Sequence, residues 1–120
     1  MQCTRNVTNH IIWVGANDRR LFPIPRGVSY NAYLIKDEKN TLMDTVDASA
    51  SRQFIENVAY ALNGESLDYL VVQHMEPDHC ANIQKILELY PEAKVVGNAK
   101  TMQMIGQFFD VDLEDRKIVV

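Results

Sequence analysis

Cysteine is nearly absent from this 120-residue chain, since Cys3 and Cys80 are its only two, and two cysteines cannot build a disulfide framework. Positive charge is also scarce. The chain has 12 lysine and arginine residues against 16 aspartate and glutamate residues, which gives a net charge of −4. This charge excludes the basic surface of a nucleic-acid binder. No stretch approaches the roughly 18 consecutive apolar residues of a membrane-spanning helix. The composition therefore predicts a cytoplasmic protein that binds neither nucleic acid nor membrane.

Hydrophobic residues make up 47% of the chain and charged residues 23%, which is enough for one globular domain with a core. Residues 10–15, 30–35 and 41–46 are extended stretches that predict antiparallel strands. From residue 50 onward helical and strand patterns alternate, which predicts parallel strands joined by right-handed crossovers. The predicted fold class is therefore α/β, with a mixed sheet.

Three amphipathic helices are predicted in this second part. The first carries its apolar face between residues 54 and 62 and ends at Asn63-Gly64. The second begins near Cys80, carries its apolar residues between Ile83 and Tyr90, and is closed by Pro91. The third follows Asn98, a residue type that favours the N-cap position. Short strands are predicted between these helices, one that ends at Gln73 and one at residues 94–97, and a last one at residues 116–120.

The most informative motif is HMEPDH at residues 74–79, directly after an apolar strand pattern at residues 69–72. Pro77 disfavours helix in this turn, so successive side chains can point inward. Two carboxylates and two imidazoles form a mixed oxygen and nitrogen donor set that suits iron or manganese and tolerates zinc. The motif predicts a two-metal site, against the alternative of a polar loop, with these four ligands: His74, Glu76, Asp78 and His79.

Other candidate residues have plainer interpretations. Asp44 and Asp47 are either acceptors that orient an imidazole or ordinary turn and capping residues. Cys80 adjoins the motif, and we interpret it as a small buried packing residue. His10 has no acidic companions, which favours a structural role.

The motif, together with WVGAND at residues 13–18, PIPRGVSYNAYLI at residues 23–35 and DTVD at residues 44–47, resembles the flavodiiron proteins, also called A-type flavoproteins. That resemblance implies a metallo-β-lactamase-like αβ/βα sandwich with a non-haem di-iron centre. The first half of such a sandwich is a mixed sheet with helices on one face. It assigns His74 and Glu76 to one iron, and Asp78 and His79 to the other.

The resemblance also implies an activity. Flavodiiron proteins reduce dioxygen to water, or nitric oxide to nitrous oxide, with electrons passed through FMN from a donor such as rubredoxin or a flavin reductase. The metal pair of such an enzyme would bind and polarise the diatomic substrate.

Two departures from the family pattern qualify these expectations. The family completes its site with two further histidines and an aspartate, but no histidine follows His79 here. Its FMN lies in a flavodoxin-like domain, and this chain has no such domain. We therefore interpret residues 1–120 as the first half of a metallo-β-lactamase-like domain, and whether it is active alone is left open. Two alternatives remain: a zinc-dependent hydrolase of the same superfamily, which Glu76 disfavours, and a non-catalytic truncated module that acts through an exposed sheet face.

Half of such a sandwich would leave one apolar sheet face without its partner sheet, and a bare face of several hundred Å² favours association. This predicts that the chain belongs to a longer protein or forms a homo-oligomer. The residues expected on the bare face are Ile12, Val14, Leu34, Leu42, Val71 and Val95.

Overall fold

The structure is a computed structural model that describes residues 4–18, 28–46, 50–73, 82–108 and 115–120. These ranges contain the following strands and helices: β1 (Arg5–Asn6), β2 (Ile11–Trp13), β3 (Ala16–Asp18), β4 (Val28–Tyr30), β5 (Tyr33–Lys36), β6 (Asn40–Met43), α1 (Ser51–Leu62), β7 (Tyr69–Val71), α2 (Ile83–Leu89), β8 (Lys94–Gly97), α3 (Ala99–Phe108) and β9 (Lys117–Val119).

Seven of these strands form one mixed sheet in the order β1-β2-β5-β6-β7-β8-β9. The neighbours from β1 to β6 are antiparallel, and those from β6 to β9 are parallel. Strands β3 and β4 form a separate antiparallel pair. Each parallel connection contains a helix, because two parallel neighbours cannot be joined by a tight turn. The antiparallel beginning and the parallel continuation predicted from the sequence are both confirmed.

The helix boundaries follow the predicted signals. Helix α1 ends at Asn63, whose backbone is left-handed, with φ 51° and ψ 46°, and Gly64 follows with φ 85°. Asparagine and glycine are the residue types that accept this conformation at low cost. Helix α3 begins after Asn98, whose Oδ1 accepts the backbone N–H of Thr101 at 2.7 Å. The predicted stop signal and the predicted N-cap are therefore both confirmed.

Helix α2 is closed by a side chain from a distant part of the chain. The guanidinium of Arg116 donates to the carbonyl oxygens of Leu87 at 3.3 Å, Tyr90 at 3.0 Å and Ala93 at 2.9 Å. These carbonyls lie at and just beyond the C-terminal end of the helix, where partners are missing and a positive charge is favoured. Arg116 thereby joins the start of β9 to the end of α2.

One face of the sheet forms the core. Leu34, Leu42, Leu70 and Val95 lie in register across β5, β6, β7 and β8, and each is fully buried. Burying a side chain of this size stabilises the fold by about 1.5–3 kcal/mol relative to leaving it exposed. The helices supply the other half of this core through Phe54, Val58, Ile83, Ile86 and Ile105.

The opposite face carries a row of partly exposed side chains, which we call the open face. Its members align across six strands: Trp13, Tyr33, Met43, Val71, Val96 and Ile118. The prediction for the bare face was therefore mostly wrong. Val14, Leu34, Leu42 and Val95 lie in the helix-covered core, Ile12 packs against that core, and only Val71 belongs to the open face. Side chains alternate between faces along a strand, and the sequence did not show which set the helices would cover.

The described helices are all short. The longest of them, α1, has 12 residues, and none of them has the length and apolar character needed to cross a bilayer.

Candidate metal-binding edge of the sheet

The parallel strands bring their carboxyl ends to one edge of the sheet, which we call the carboxyl edge. Strands β6, β7 and β8 end there at Met43, Val71 and Gly97. Strand β2 ends at the same edge, because Trp13 lies opposite Tyr33, which in turn lies opposite Met43. Open α/β sheets bind their ligands beyond such ends. The motif at residues 74–79 follows β7 and therefore leaves the sheet at this edge.

The predicted metal ligands His74, Glu76, Asp78 and His79 lie outside the described residues, as do Asp47 and Cys80. Within the ranges that the structure describes, no three histidine, cysteine, aspartate or glutamate side chains come together as a metal site. The structure does place the residues on either side of the motif, Gln73 and Asn82.

Asp44 holds the point at which the chain leaves β7. Its backbone N–H donates to the carbonyl oxygen of Val71 at 2.9 Å, and its Oδ1 accepts the backbone N–H of Gln73 at 2.9 Å. Its φ of 66° is left-handed, a conformation that aspartate tolerates better than most residues. Only 9% of Asp44 is exposed. The sequence left two roles open for Asp44, an acceptor that orients an imidazole and a turn or capping residue. The described contacts of Asp44 are those of a turn and capping residue.

Asn82 holds the point at which the chain returns. Its Nδ2 donates to the carbonyl oxygen of Val46 at 2.9 Å, and only 2% of the residue is exposed. Asn82 occupies the N-cap position of α2, yet its side chain makes no capping hydrogen bond to that helix. Sequence reasoning missed this residue. The available signal was an asparagine directly before an apolar helical pattern, but that signal is typical of a helix cap and does not indicate a long-range contact.

Asn57 holds a third connection at the carboxyl edge. It lies within α1, is fully buried, and donates through Nδ2 to the carbonyl oxygens of Val14 at 3.3 Å and Gly15 at 3.0 Å. Its Oδ1 accepts a hydrogen bond from Nε2 of Gln53 at 2.9 Å. The chain is thereby fixed where it leaves β2. Sequence reasoning missed Asn57 as well, because a single asparagine in an apolar helix gives no indication of its partner.

Close packing leaves no room for a side chain at Gly97, the last residue of β8. A Cβ atom at Gly97 would lie 3.2 Å from Cγ2 of Thr101 and 3.3 Å from the carbonyl oxygen of Val72. Only glycine leaves these neighbours undisturbed, so β8 and the residue after β7 approach closely at the carboxyl edge.

Buried polar residues are concentrated at this edge. A buried polar group costs free energy unless it is hydrogen-bonded, so polar residues are retained inside a small core where geometry requires them. Of the six buried polar or charged residues in the described ranges, Asn40 lies at the opposite edge. The other five are at or beside the carboxyl edge: Asp44, Thr45, Asn57, Asn82 and Thr101.

The opposite edge has its own polar contacts and provides a comparison. Oδ2 of Asp68 accepts the backbone N–H of Asn40 at 2.8 Å, and Nδ2 of Asn40 donates to Oε1 of Glu65 at 3.1 Å. Nζ of Lys36 lies 3.5 Å from Oε2 of Glu65. The hydrogen bond from Asn40 and the positive charge of Lys36 lower the pKa of Glu65 below its ordinary value. These contacts join β6 to β7 far from the motif.

With this geometry established, comparisons with known proteins identify the family. Residues 28–120 match the model of a family described as ODP family beta lactamase. The chain belongs to this family. It is also 36% identical over 107 residues to the anaerobic nitric oxide reductase flavorubredoxin of Klebsiella pneumoniae, a match that covers 83% of this chain and 22% of that protein.

Solved structures of family members confirm the predicted fold. The rubredoxin oxygen:oxidoreductase of Desulfovibrio gigas is 30% identical and superposes with a TM-score of 0.85 over 98% of this chain and 31% of its own. The flavodiiron protein of Giardia intestinalis, at 22% identity, gives 0.85 over 98% of this chain and 30% of its own, and shows the fold alone. The resemblance to flavodiiron proteins is confirmed, and the chain spans less than a third of the length of these relatives.

Proposed function

We propose that this chain provides half of the di-iron site of a flavodiiron oxidoreductase that reduces dioxygen to water, nitric oxide to nitrous oxide, or both. His74 and Glu76 would hold one iron, and Asp78 and His79 the other. Family membership supports the proposal, and so do the activities named in two similar proteins, a nitric oxide reductase flavorubredoxin and a rubredoxin oxygen:oxidoreductase. Residues 1–120 would form the first half of the metallo-β-lactamase-like domain, without a flavodoxin-like domain.

The observation that carries this proposal is the pair of hydrogen bonds that flank the motif. Gln73 is bound to Asp44, and Asn82 is bound to Val46, so both ends of the segment of residues 74–81 are fixed to one short stretch after β6. Fixing both ends of a short chain segment reduces, in general, the number of conformations available to it. Less ordering entropy is then lost when its side chains bind a metal.

The donor types fit iron. Two carboxylates supply hard oxygen ligands that can offset the charge of two cations, and two imidazoles supply nitrogen ligands of intermediate softness. When bound, iron would supply a Lewis acid and a redox centre for the diatomic substrate. The chain's own residues would bind the metals and orient them. FMN would come from a domain outside these 120 residues, and the electron donor would be a rubredoxin or a flavin reductase.

Exchanging Glu76 tests the donor argument. Glu76→His gives the motif three nitrogen donors, so the variant should prefer zinc over iron more strongly than the wild type in an anaerobic competition between Fe(II) and Zn(II). Metal content by mass spectrometry and Mössbauer spectroscopy of the iron provide the measurement. Glu92→His, which adds an imidazole to an exposed position at the opposite edge, is the matched control. Unchanged selectivity in Glu76→His would contradict the assignment.

Activity measurements separate the proposed function from its alternatives. Consumption of dioxygen or nitric oxide with a supplied reductant by the iron-loaded chain would support the oxidoreductase. Hydrolysis of a thioester by the zinc-loaded chain, without reductase activity, would favour the hydrolase. Metal binding with neither activity would favour a non-catalytic module that acts through the open face.

We further propose that the protein works in the cytoplasm and self-associates through the open face. The low cysteine content supports the first statement, and the partly exposed apolar row supports the second. Tyr33→Glu places a charge in that row and should shift the sedimentation coefficient towards the monomer. Tyr60→Glu, on the exposed surface of α1, should leave it unchanged. A wild-type chain that sediments as a monomer would contradict self-association. If that monomer also binds no hydrophobic dye, the open face is not an exposed apolar surface.

A further inference from the structure

We propose that two copies of this chain associate edge to edge through β9, so that their sheets join into one continuous sheet. In this contact the two β9 strands run antiparallel, with a two-fold axis at Val119. The inference goes beyond the proposed function, because it does not depend on metal binding and because it uses the edge of the sheet instead of the open face.

The first argument is the difference between the two edges of the sheet. The seven-stranded sheet ends at β1 and β9, and no other strand of the described residues pairs beyond them. An edge strand exposes backbone groups that can pair with another chain, unless the strand is very short or charged. Strand β1 is protected in this way, because its two residues, Arg5 and Asn6, are polar and exposed.

The second argument is the exposure of apolar side chains at the other edge. Three consecutive residues there are large, apolar and exposed: Ile118 by 36%, Val119 by 51% and Val120 by 79%. Removing such surface from water favours association. These residues are also β-branched, and side chains of this type pack well across neighbouring strands.

The third argument is the direction of the backbone groups. The carbonyl oxygen of Arg116 accepts a backbone N–H of β8 at 2.7 Å, and the N–H of Val120 donates to a carbonyl oxygen of β8 at 2.9 Å. Backbone groups alternate between the two sides of a strand, so Val119 directs its N–H and C=O away from β8. This edge therefore presents a donor and an acceptor at the centre of its apolar residues.

A second copy of β9 matches these groups by symmetry. With the two-fold axis at Val119, each Val119 donates to the other and accepts from it, which is the hydrogen-bonded pair of an antiparallel ladder. Ile118 of one copy then lies opposite Val120 of the other, so apolar side chains meet on both sides of the axis. Lys117 lies outside these pairs, so no like charges face each other within them.

The contact is small, and the dimer should therefore be weak. Pairing a few residues from each copy buries less than the roughly 1,000 Å² that a stable interface needs. Sedimentation equilibrium of the full chain should show a monomer at low concentration and a dimer above roughly 100 μM.

Cysteine cross-linking tests the register. Residues 118 and 120 of opposite copies should have Cα atoms about 4.5 Å apart, within the range of about 4.4–6.8 Å that a disulfide needs. Two copies of residue 118, or of residue 120, are diagonal neighbours about 7–8 Å apart. In an oxidised equimolar mixture of Ile118→Cys and Val120→Cys, peptide mass spectrometry should therefore find mostly the mixed disulfide. Random collision cannot raise the mixed disulfide above half of these linked products, so a fraction of half or less would overturn the register.

Val119→Pro tests the backbone hydrogen bonds. Because the N–H of Val119 points away from β8, proline removes a donor to the second copy and no hydrogen bond within the chain. The dissociation constant should rise by roughly 10-fold or more, with the midpoint of urea unfolding near that of the wild type. Asn6→Pro is the matched control. The N–H of Val7 donates to Ile11 at 2.8 Å, so that of Asn6 points outward at β1, and its loss should leave the dissociation constant unchanged.

A charge at the axis gives a second measurement if Val119→Pro does not fold. Val119→Lys and Val119→Glu each place two like charges opposite each other and should each remain a monomer, whereas their equimolar mixture should dimerise. A mixture that stays monomeric would overturn the inference.

The sedimentation results separate the edge contact from association through the open face. A dimer that Val119→Pro dissociates and Tyr33→Glu leaves intact would support the edge contact. A dimer that only Tyr33→Glu dissociates would overturn it and support the open face. A wild-type chain that remains a monomer up to about 1 mM would overturn both.

Discussion

Substitution of Asp44 can separate the two features that hold the chain after β7, a hydrogen bond and a left-handed backbone. Oδ1 of Asp44 accepts the Gln73 N–H at 2.9 Å, and the φ of Asp44 is 66°. A hydrogen bond to a charged group contributes about 1.5–3 kcal/mol. Asp44→Asn keeps an oxygen acceptor and a residue that tolerates this φ, so its cost should be about 1 kcal/mol.

The other two variants remove the acceptor altogether. Asp44→Gly loses the hydrogen bond but adopts the left-handed backbone freely, so its cost should be about 2 kcal/mol. Asp44→Ala loses the bond and also strains a methyl-bearing backbone, which adds about 1 kcal/mol. The total of about 3 kcal/mol corresponds to a fall in Tm of roughly 12 °C for a domain of this size.

Urea unfolding followed by the fluorescence of Trp13, the single tryptophan, measures these differences. Asp68→Asn is the control, because Asp68 also accepts a backbone N–H from the neighbouring strand, at 2.8 Å, but at the opposite edge. The stability of Asp68→Asn should fall by about as much as that of Asp44→Asn. Co(II) binding should weaken in the three Asp44 variants and not in Asp68→Asn. An alanine variant as stable as the glycine variant would refute the backbone argument, and three variants as stable as the wild type would refute the hydrogen bond.

Three further predictions concern stability. Arg116→Met should cost about 2–3 kcal/mol, because the carbonyls at the end of α2 lose a charged donor, and urea unfolding should show a much smaller effect for a surface control, Arg5→Met. Asn98→Ala should cost about 1 kcal/mol through loss of the α3 N-cap, and an unchanged urea midpoint would contradict the assigned cap. The lowered pKa of Glu65 means that its contribution to stability is present above the ordinary glutamate pKa and disappears as the pH falls through the lowered value. The stability difference between wild type and Glu65→Gln should therefore shrink in acid, and a difference that grows there would contradict the assigned contacts.

Local patterns were sufficient for most of the elements. The stop at Asn63-Gly64, the N-cap at Asn98 and the strand Lys94–Gly97 all depend on residues close together in the chain, and each lies where the sequence predicts it. The change from antiparallel to parallel strands was predictable as well, because it follows from the length of the connections.

The identity of the motif was likewise available from sequence, since its donor types and order require no coordinates. Whether its four side chains converge on metal stays a prediction, because residues 74–79 lie outside the described ranges. Family membership supports the assignment without placing these side chains.

Only the tertiary structure decided which sheet face is covered and how Gln73 and Asn82, on either side of residues 74–81, are held. Alternating apolar residues on β5 to β8 fit either face, and the choice was made by the helices that pack on Leu34, Leu42, Leu70 and Val95. Asn82 and Val46 are 36 positions apart, and Asp44 and Gln73 are 29 apart. Sequence alone determined which residues could bind metal, because ligand chemistry belongs to the side chain itself. The contacts of Gln73 and Asn82 join residues that are distant in the chain, so only the folded chain could reveal them.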